Sequence, residues 1–317
     1  MMNVRRRKRA RQQSNLRTNA ATILLALCLL SFGWAEVEVH AQAIIEGPQG
    51  KDGVVLKWLG NAGWEIRAGK NVILIDPFLT RQEAQAGVEW KTDEDAVSKA
   101  ISKADFIFAG HSHADHIGDV PFIAKKYGSK VIGSRTTTNI ALTAGVDKSQ
   151  LITISGGEKL DFDGFSVQVI ESEHGGIRRG GRTRRPKFEE ITKPWAGPLK
   201  GGDFVEGGCF PYYFTFGKHR LLHQSTAGFI EENLTGLQPD VLLMAATDRT
   251  YDLALALKTL NPKTIFLHHF DEWRAPIPQG MPAANRKRAQ RFANDIRAVN
   301  PAIKTVIPEF FALFTLE

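Results

Sequence analysis

The chain has 317 residues, 43% of them hydrophobic and 24% charged, which excludes a disordered or low-complexity polymer and leaves enough apolar material for a full core. The net charge of +7 does not describe the body: seven of the 41 Lys and Arg fall in residues 1–43 against two of the 34 Asp and Glu, leaving 34 basic and 32 acidic side chains beyond them. A nucleic-acid partner, which calls for a basic face, is not expected of that near-neutral body.

Residues 1–43 have the layout of an export signal: a basic head from Arg5 to Arg17, an apolar stretch from about Ala20 to Trp34, and a small-x-small end at Ala41-Gln42-Ala43. The apolar stretch is roughly 15 residues, shorter than the ~20 a spanning helix needs. Cleavage after Ala43 is therefore expected, giving an exported, periplasmic or extracellular protein with no stable membrane insertion. An uncleaved membrane anchor is the alternative. Removing the signal takes Cys28 and leaves Cys209 alone, so the mature domain, 44–317, has no intramolecular disulfide and must rely on its core.

Along that domain, Val54 to Trp58 and Trp64 to Arg67 read as strands around the turn Gly60-Asn61-Ala62-Gly63. Asn71 to Ile75 is a continuous apolar strand, which implies burial on both faces, and it ends in Asp76-Pro77. Asp93 to Lys103 has helical spacing, and Asp105 to Ala109 is the next buried strand. Val120 to Tyr127 is expected to be a helix with Asp119 as N-cap and Gly128 as its stop. A strand at Val131 to Gly133, a helix near Thr137 to Thr143, and strands at Leu151 to Ile154 and Phe165 to Ile170 follow. A Gly/Arg/Pro/Lys-rich stretch at about 175–208 has no periodicity and is expected to be an irregular loop. Beyond it come a hairpin of Phe210 to Phe216 with Arg220 to His223, a strand at Val241 to Ala245, a helix at Tyr251 to Leu260 and a strand at Thr264 to Leu267. A basic amphipathic helix near Ala283 to Val299 leads to a closing segment through Phe311 and Phe314.

Three of the nine histidines fall in His111-Ser112-His113-Ala114-Asp115-His116, directly after a predicted strand. His174 and the pair His268-His269 also follow strands, and side chains from separate strand ends can converge at one sheet edge. On a helix, His111 and Asp115 would share a face while His113 pointed away. An irregular loop can instead feed two neighbouring ions. His269 is favoured over His268, which would lie on the opposite side of its strand, and His40, His219 and His223 are not expected to be ligands. Imidazole and carboxylate suit Zn2+, one ion or two, and are also acceptable to Mn2+ or Fe2+.

The segment from Phe108 through His111-Ser112-His113-Ala114-Asp115-His116 to Asp119 resembles the signature of the metallo-β-lactamase superfamily of metallo-hydrolases. Trp58-Leu59-Gly60-Asn61-Ala62-Gly63-Trp64 and Ile73-Leu74-Ile75-Asp76-Pro77 are similar to it as well, on the side of its broad metal-dependent hydrolases rather than its antibiotic-degrading enzymes. The resemblance implies an α/β fold, an αββα sandwich of two mixed β-sheets flanked by helices, with metals at one edge. It assigns His111, His113 and His174 to a first metal and Asp115, His116 and His269 to a second. It departs at Gln224-Ser225-Thr226-Ala227-Gly228, where Ser225 occupies the slot of the family's bridging Asp. A hydroxyl is a weak ligand, so the second ion is expected to bind less tightly, unless His223 or Gln224 compensates.

The function this implies is an exported, zinc-dependent hydrolase in which a metal-activated hydroxide, oriented by Asp115 as catalytic residue, attacks an ester, lactone or phosphodiester of a small molecule. A non-catalytic metal-binding module on the same scaffold is the alternative. Asp76 either supports the ligand loop or simply ends its strand. Arg178, Arg179, Arg182, Arg184 and Arg185 either receive an anionic substrate group or form a solvated face. Trp195, Phe204 and Phe210 either line the pocket or pack the loop.

Overall fold

The computed structural model describes residues 53–179, 182–184 and 187–316. The expected export signal, its cleavage point and Cys28 lie outside the described residues, as does Arg185.

Fourteen of the strands form two mixed sheets of seven. The first begins with β1 (Val54–Gly60), β2 (Gly63–Ala68) and β3 (Asn71–Ile75), an antiparallel meander. β4 (Phe106–Phe108), β5 (Lys130–Gly133) and β6 (Leu151–Thr153) continue it in parallel, with α1 (Glu94–Ala100), α2 (Ala114–Ile117), α3 (Val120–Tyr127) and α4 (Arg135–Thr143) in the connections. The second sheet begins with β7 (Lys159–Phe162) and β8 (Phe165–Val169); a separate hairpin, β9 (Ile177–Arg179) with β10 (Arg182–Arg184), then interrupts the chain. β11 (Tyr212–Phe216), β12 (His219–His223), β13 (Val241–Ala245), β14 (Thr264–His268) and β15 (Lys304–Val306) complete the second sheet, with α5 (Leu253–Leu260) and α6 (Ala283–Val299) in its crossovers. The chain closes on the first sheet, where β16 (Leu313–Leu316) pairs antiparallel with β1.

Side chains alternate across a strand, so an unbroken apolar run serves two cores at once. Ile73, Ile75, Phe108 and Ile132 point between the sheets, where they meet Tyr212, Phe214 and Leu221. Their neighbours Leu74, Ile107 and Val131 face outward against Val97, Ile123, Ala124 and Ile140 of the helices. On the far side, Leu257 and Leu260 of α5 and Ala289 and Ile296 of α6 join the core cluster of the second sheet. The layers are therefore helix, sheet, sheet, helix, as the resemblance implied. No helix among the described residues is long and apolar enough to cross a membrane.

Several local readings change. The 175–208 stretch contains the β9–β10 hairpin, and β7 and β15 are additional strands. The His111–His116 segment is a loop only as far as His113; the one-turn helix α2 starts at Ala114. Asp119 stands at the N-cap of α3, but its side chain makes no capping bond there. It turns away to accept from the backbone N–H of Leu79 (2.6 Å) and Thr80 (2.9 Å) and from the Thr80 hydroxyl, tying α3 to the loop after β3.

Burial outweighs those donors and pushes the Asp119 carboxyl up to about 6 from the ordinary 3.8. A folded-state value above the unfolded one means that the native protein holds the extra proton between them. The stability Asp119 contributes is thus full below pH ~4 and lost as pH rises through about 6, by about 3 kcal/mol in all. Urea unfolding at pH 4, 5, 6 and 7 should show this fall in the wild type; an equal slope in Asp119→Asn would refute the assignment.

Candidate metal centre

Both sheets present the ends of their strands at one edge. β3 delivers Asp76, β4 delivers His111 and His113, β8 leads to His174, β12 to Ser225 and β14 to His269; the turn after β1 supplies Asn61. Two groups of three form there. His111, His113 and His174 offer ligand atoms within 4.8 Å of one another, and so do Asp115, His116 and His269. The groups abut, since the His111 and His116 ring centroids are 3.8 Å apart. The structure thus brings together all six residues singled out in the sequence, in the same two sets. His268 is instead buried, its Nδ1 accepting from Trp64 Nε1 (2.9 Å) and its Nε2 donating to the Gln224 carbonyl (2.8 Å). His223 is also buried, its Nε2 on the Ala62 carbonyl (3.0 Å), and neither His223 nor Gln224 belongs to either trio.

The donor set fits metal ions in charge and in orientation. Burial holds His111 well below its ordinary pKa, with His116, His113 and His174 adding to the effect, and burial likewise lowers His113 and brings His174 down to about 4. Neutral imidazoles keep a lone pair for a cation. His174 donates through Nδ1 to the Gly175 carbonyl (2.7 Å), which leaves Nε2 as its ligand atom. Burial opposes charge on His116, but Asp115 and Asp76 on either side raise its pKa. Burial also opposes charge on Asp115, but His116 and His269 hold its carboxyl far below the usual range. Asp115 Oδ2 lies 3.6 Å from His116 Nε2 and 3.5 Å from His269 Nε2, an ion-sized triangle.

Asp76, fully buried, supports the ligands from behind. Its Oδ1 accepts from the Gly110 N–H (2.7 Å), and its Oδ2 accepts from His116 Nδ1 (2.9 Å) and from the Ser225 hydroxyl (2.8 Å). Of the two sequence readings of Asp76, support of the ligand loop is the one its contacts match. Asn61, in sequence only part of a turn, is tied into the centre: its Nδ2 donates to the Asp115 carbonyl (2.7 Å) and to Asp115 Oδ2 (3.2 Å), and its carbonyl receives the His269 N–H (2.8 Å). The Asn61 N–H is fixed in turn by Asp271, which pairs with buried Arg81 at 2.6 Å. Asn61, Asp76 and His269 all have left-handed backbones, with φ of 48°, 45° and 57°. Non-glycine residues held there concentrate at functional sites, where surrounding bonds over-determine the conformation.

A cavity of about 760 Å3 opens at His174. Phe188 and Phe210 give it apolar wall, and Glu171, Glu173 and Glu206 line it with carboxyl groups. Arg135 also lines it but is held by Glu190 through two bonds of 2.8 Å. Phe210 is thus a wall residue, whereas Phe204 and Trp195 pack into the cluster beneath the helices. Side chains of the arginines in β9 and β10 lie outside the described residues.

A family model described as a beta-lactamase superfamily domain matches residues 55–269. A protein of Brucella anthropi named as a UPF0173 metal-dependent hydrolase is 33% identical over 119 residues, which are 38% of this chain and 47% of that protein. The chain therefore matches about half the length of that relative. A UPF0173 metal-dependent hydrolase of Polynucleobacter asymbioticus is 27% identical over 269 residues, covering 80% of this chain and 86% of that one. Among solved structures, Igni18, a metallo hydrolase from Ignicoccus hospitalis, superposes with a TM-score of 0.58 at 19% identity over 84% of this chain and 99% of its own, which shows a shared fold.

Proposed function

The chain belongs to the beta-lactamase superfamily, and on that premise we propose that it is an exported, zinc-dependent hydrolase of small esters or lactones. The observation that carries this reading is the pair of abutting trios, with a cavity large enough for a small molecule opening beside His174. The names of the two UPF0173 relatives support the metal-dependent hydrolase class. The export layout of residues 1–43 supports a periplasmic or extracellular site of action.

Zinc held by the two trios would lower the pKa of a shared water and polarise the bond under attack. The protein's own part is positioning. Asp115 Oδ2 is committed to His116, His269 and Asn61, so Oδ1 is the atom left to accept a hydrogen bond from an attacking water and orient it. The cavity beside His174 sets the substrate. Its carboxyl groups disfavour a phosphodiester or another anion, and its phenylalanines favour an uncharged ester or lactone.

The test is a panel of aryl esters, lactones and phosphodiesters assayed on the zinc-loaded protein, after chelation and after zinc is restored. Esters or lactones should turn over, stop on chelation and recover. Ser225 in place of a bridging carboxylate favours a second reading, a metal-binding module without catalysis. Tight zinc binding with no turnover across the panel would establish that module and end the hydrolase reading.

A further inference from the structure

Ser225 stands in the slot that the family resemblance gives to a metal-bridging carboxylate, and its surroundings give it a different task. Its hydroxyl is 2.8 Å from Asp76 Oδ2 and 3.1 Å from His111 Nδ1, and the residue is 1% exposed. A hydroxyl has one proton, and the carboxylate can only accept, so that proton lies on the Asp76 side. Toward His111 the oxygen can then only accept, which requires the proton of His111 to sit on Nδ1. The lone pair of that ring is left on Nε2, the atom that meets His113 Nδ1 at 3.0 Å inside the first trio.

The same Asp76 oxygen receives His116 Nδ1 from the second trio at 2.9 Å. A continuous path thus runs from His111 through Ser225 and Asp76 to His116, and one buried carboxylate orients a ligand of each trio. The backbone is shaped around this contact. A Cβ on Gly110 would fall 2.0 Å from Ser225 Oγ, so only glycine lets the serine reach between the strands.

We propose that Ser225 is a positioning residue that replaces a bridging ligand by a bridging hydrogen bond, fixing His111 as the Nδ1-H tautomer and coupling both trios to Asp76. The proposal rests on the metal-binding reading of the trios. Outer partners of this kind orient a ligand and raise its basicity, and their loss typically weakens metal affinity by about 10–100-fold.

Zinc titration by calorimetry on the wild type, Ser225→Ala and Ser225→Thr provides the test. Ser225→Ala leaves His111 Nδ1 and one side of Asp76 unpartnered, and should weaken zinc at one site by about 10–100-fold. Ser225→Thr keeps the hydroxyl and should restore affinity to within a few-fold of wild type. A second measurement uses the wild type alone and is immune to misfolding: the long-range proton–nitrogen spectrum of the zinc-loaded protein should show His111 protonated at Nδ1. Wild-type affinity in Ser225→Ala, or a His111 protonated at Nε2, would overturn the proposal while leaving metal binding intact. Failure of the wild type to bind zinc at all would overturn both.

Discussion

His174→Ala and His269→Ala will each cost the protein one metal ion and about two to three orders of magnitude in turnover, with the fold unchanged. These two are the informative ligands to remove because both sit at the rim, only partly buried, one in each trio. His111 and His116 are 1% exposed and carry the bonds to Ser225 and Asp76, so truncating either would open a hole in the core and strand buried partners. A rim histidine strands less: His174 gives up its bond to the Gly175 carbonyl, and His269 its contact with Asp115. The size of the loss follows from removing one electrostatic stabiliser from a water-poor site, which typically costs ~10²–10³ in rate. At position 269 the backbone φ of 57° adds a cost of about 1 kcal/mol for alanine, so His269→Asn, which tolerates that conformation, serves as the control. The double variant should be scarcely worse than either single one, because groups acting as a unit are not additive. Metal content, circular dichroism and the rate on the best ester of the panel decide the matter. Full metal content with unchanged turnover in either variant would remove that trio from the mechanism.

What the sequence disclosed about this site followed from local periodicity and strand ends. The run Val72-Ile73-Leu74-Ile75 announced a strand buried on both sides, and it is one. Strand sidedness placed His268 and His269 on opposite faces, and the fold puts the first in the core and the second beside Asp115. β7 is hard to read because its alternation, Lys159-Leu160-Asp161-Phe162, lasts only four residues and no residue of it is fully buried. The β9–β10 pair has no apolar period, with Ile177 the one apolar residue among the arginines and threonine of its two strands. The supporting bonds were invisible for another reason: they join distant parts of the chain. Ser225 reaches Asp76 across 149 positions, and Asn61 meets Asp271 across 210. No window of sequence contains both partners. Asn61 lies within the Trp58–Trp64 stretch that carries the family resemblance, and that was the hint in the sequence that it does more than turn the chain.

Asp76→Asn will weaken zinc most in the second trio, by about 10–100-fold, because it forces His116 to change its proton. Asparagine keeps the shape of aspartate and tolerates φ of 45°, so the substitution changes charge and hydrogen bonding alone. With its oxygen kept on the Gly110 N–H, the new amide nitrogen would face His116 Nδ1 and Ser225 Oγ, both of which donate to Asp76. Ser225 can rotate its proton away, but an imidazole cannot donate to a donor. His116 must then carry its proton on Nε2, the atom that faces Asp115 at 3.6 Å, and the second trio loses a lone pair. Flipping the amide moves the conflict to Gly110, whose backbone N–H cannot be changed, at about 1–3 kcal/mol for an unsatisfied buried group. The first trio is loosened as well, because Ser225 can no longer donate to position 76 and nothing then keeps its proton from turning toward His111 Nδ1. Calorimetry should therefore resolve one zinc event weakened by about 10–100-fold or absent and the other weakened less, and the nitrogen spectrum of His116 should report the shifted proton. Two undisturbed binding events in Asp76→Asn would mean that the carboxylate behind the ligands does not set their tautomers, and would reduce Asp76 to a residue that ends its strand.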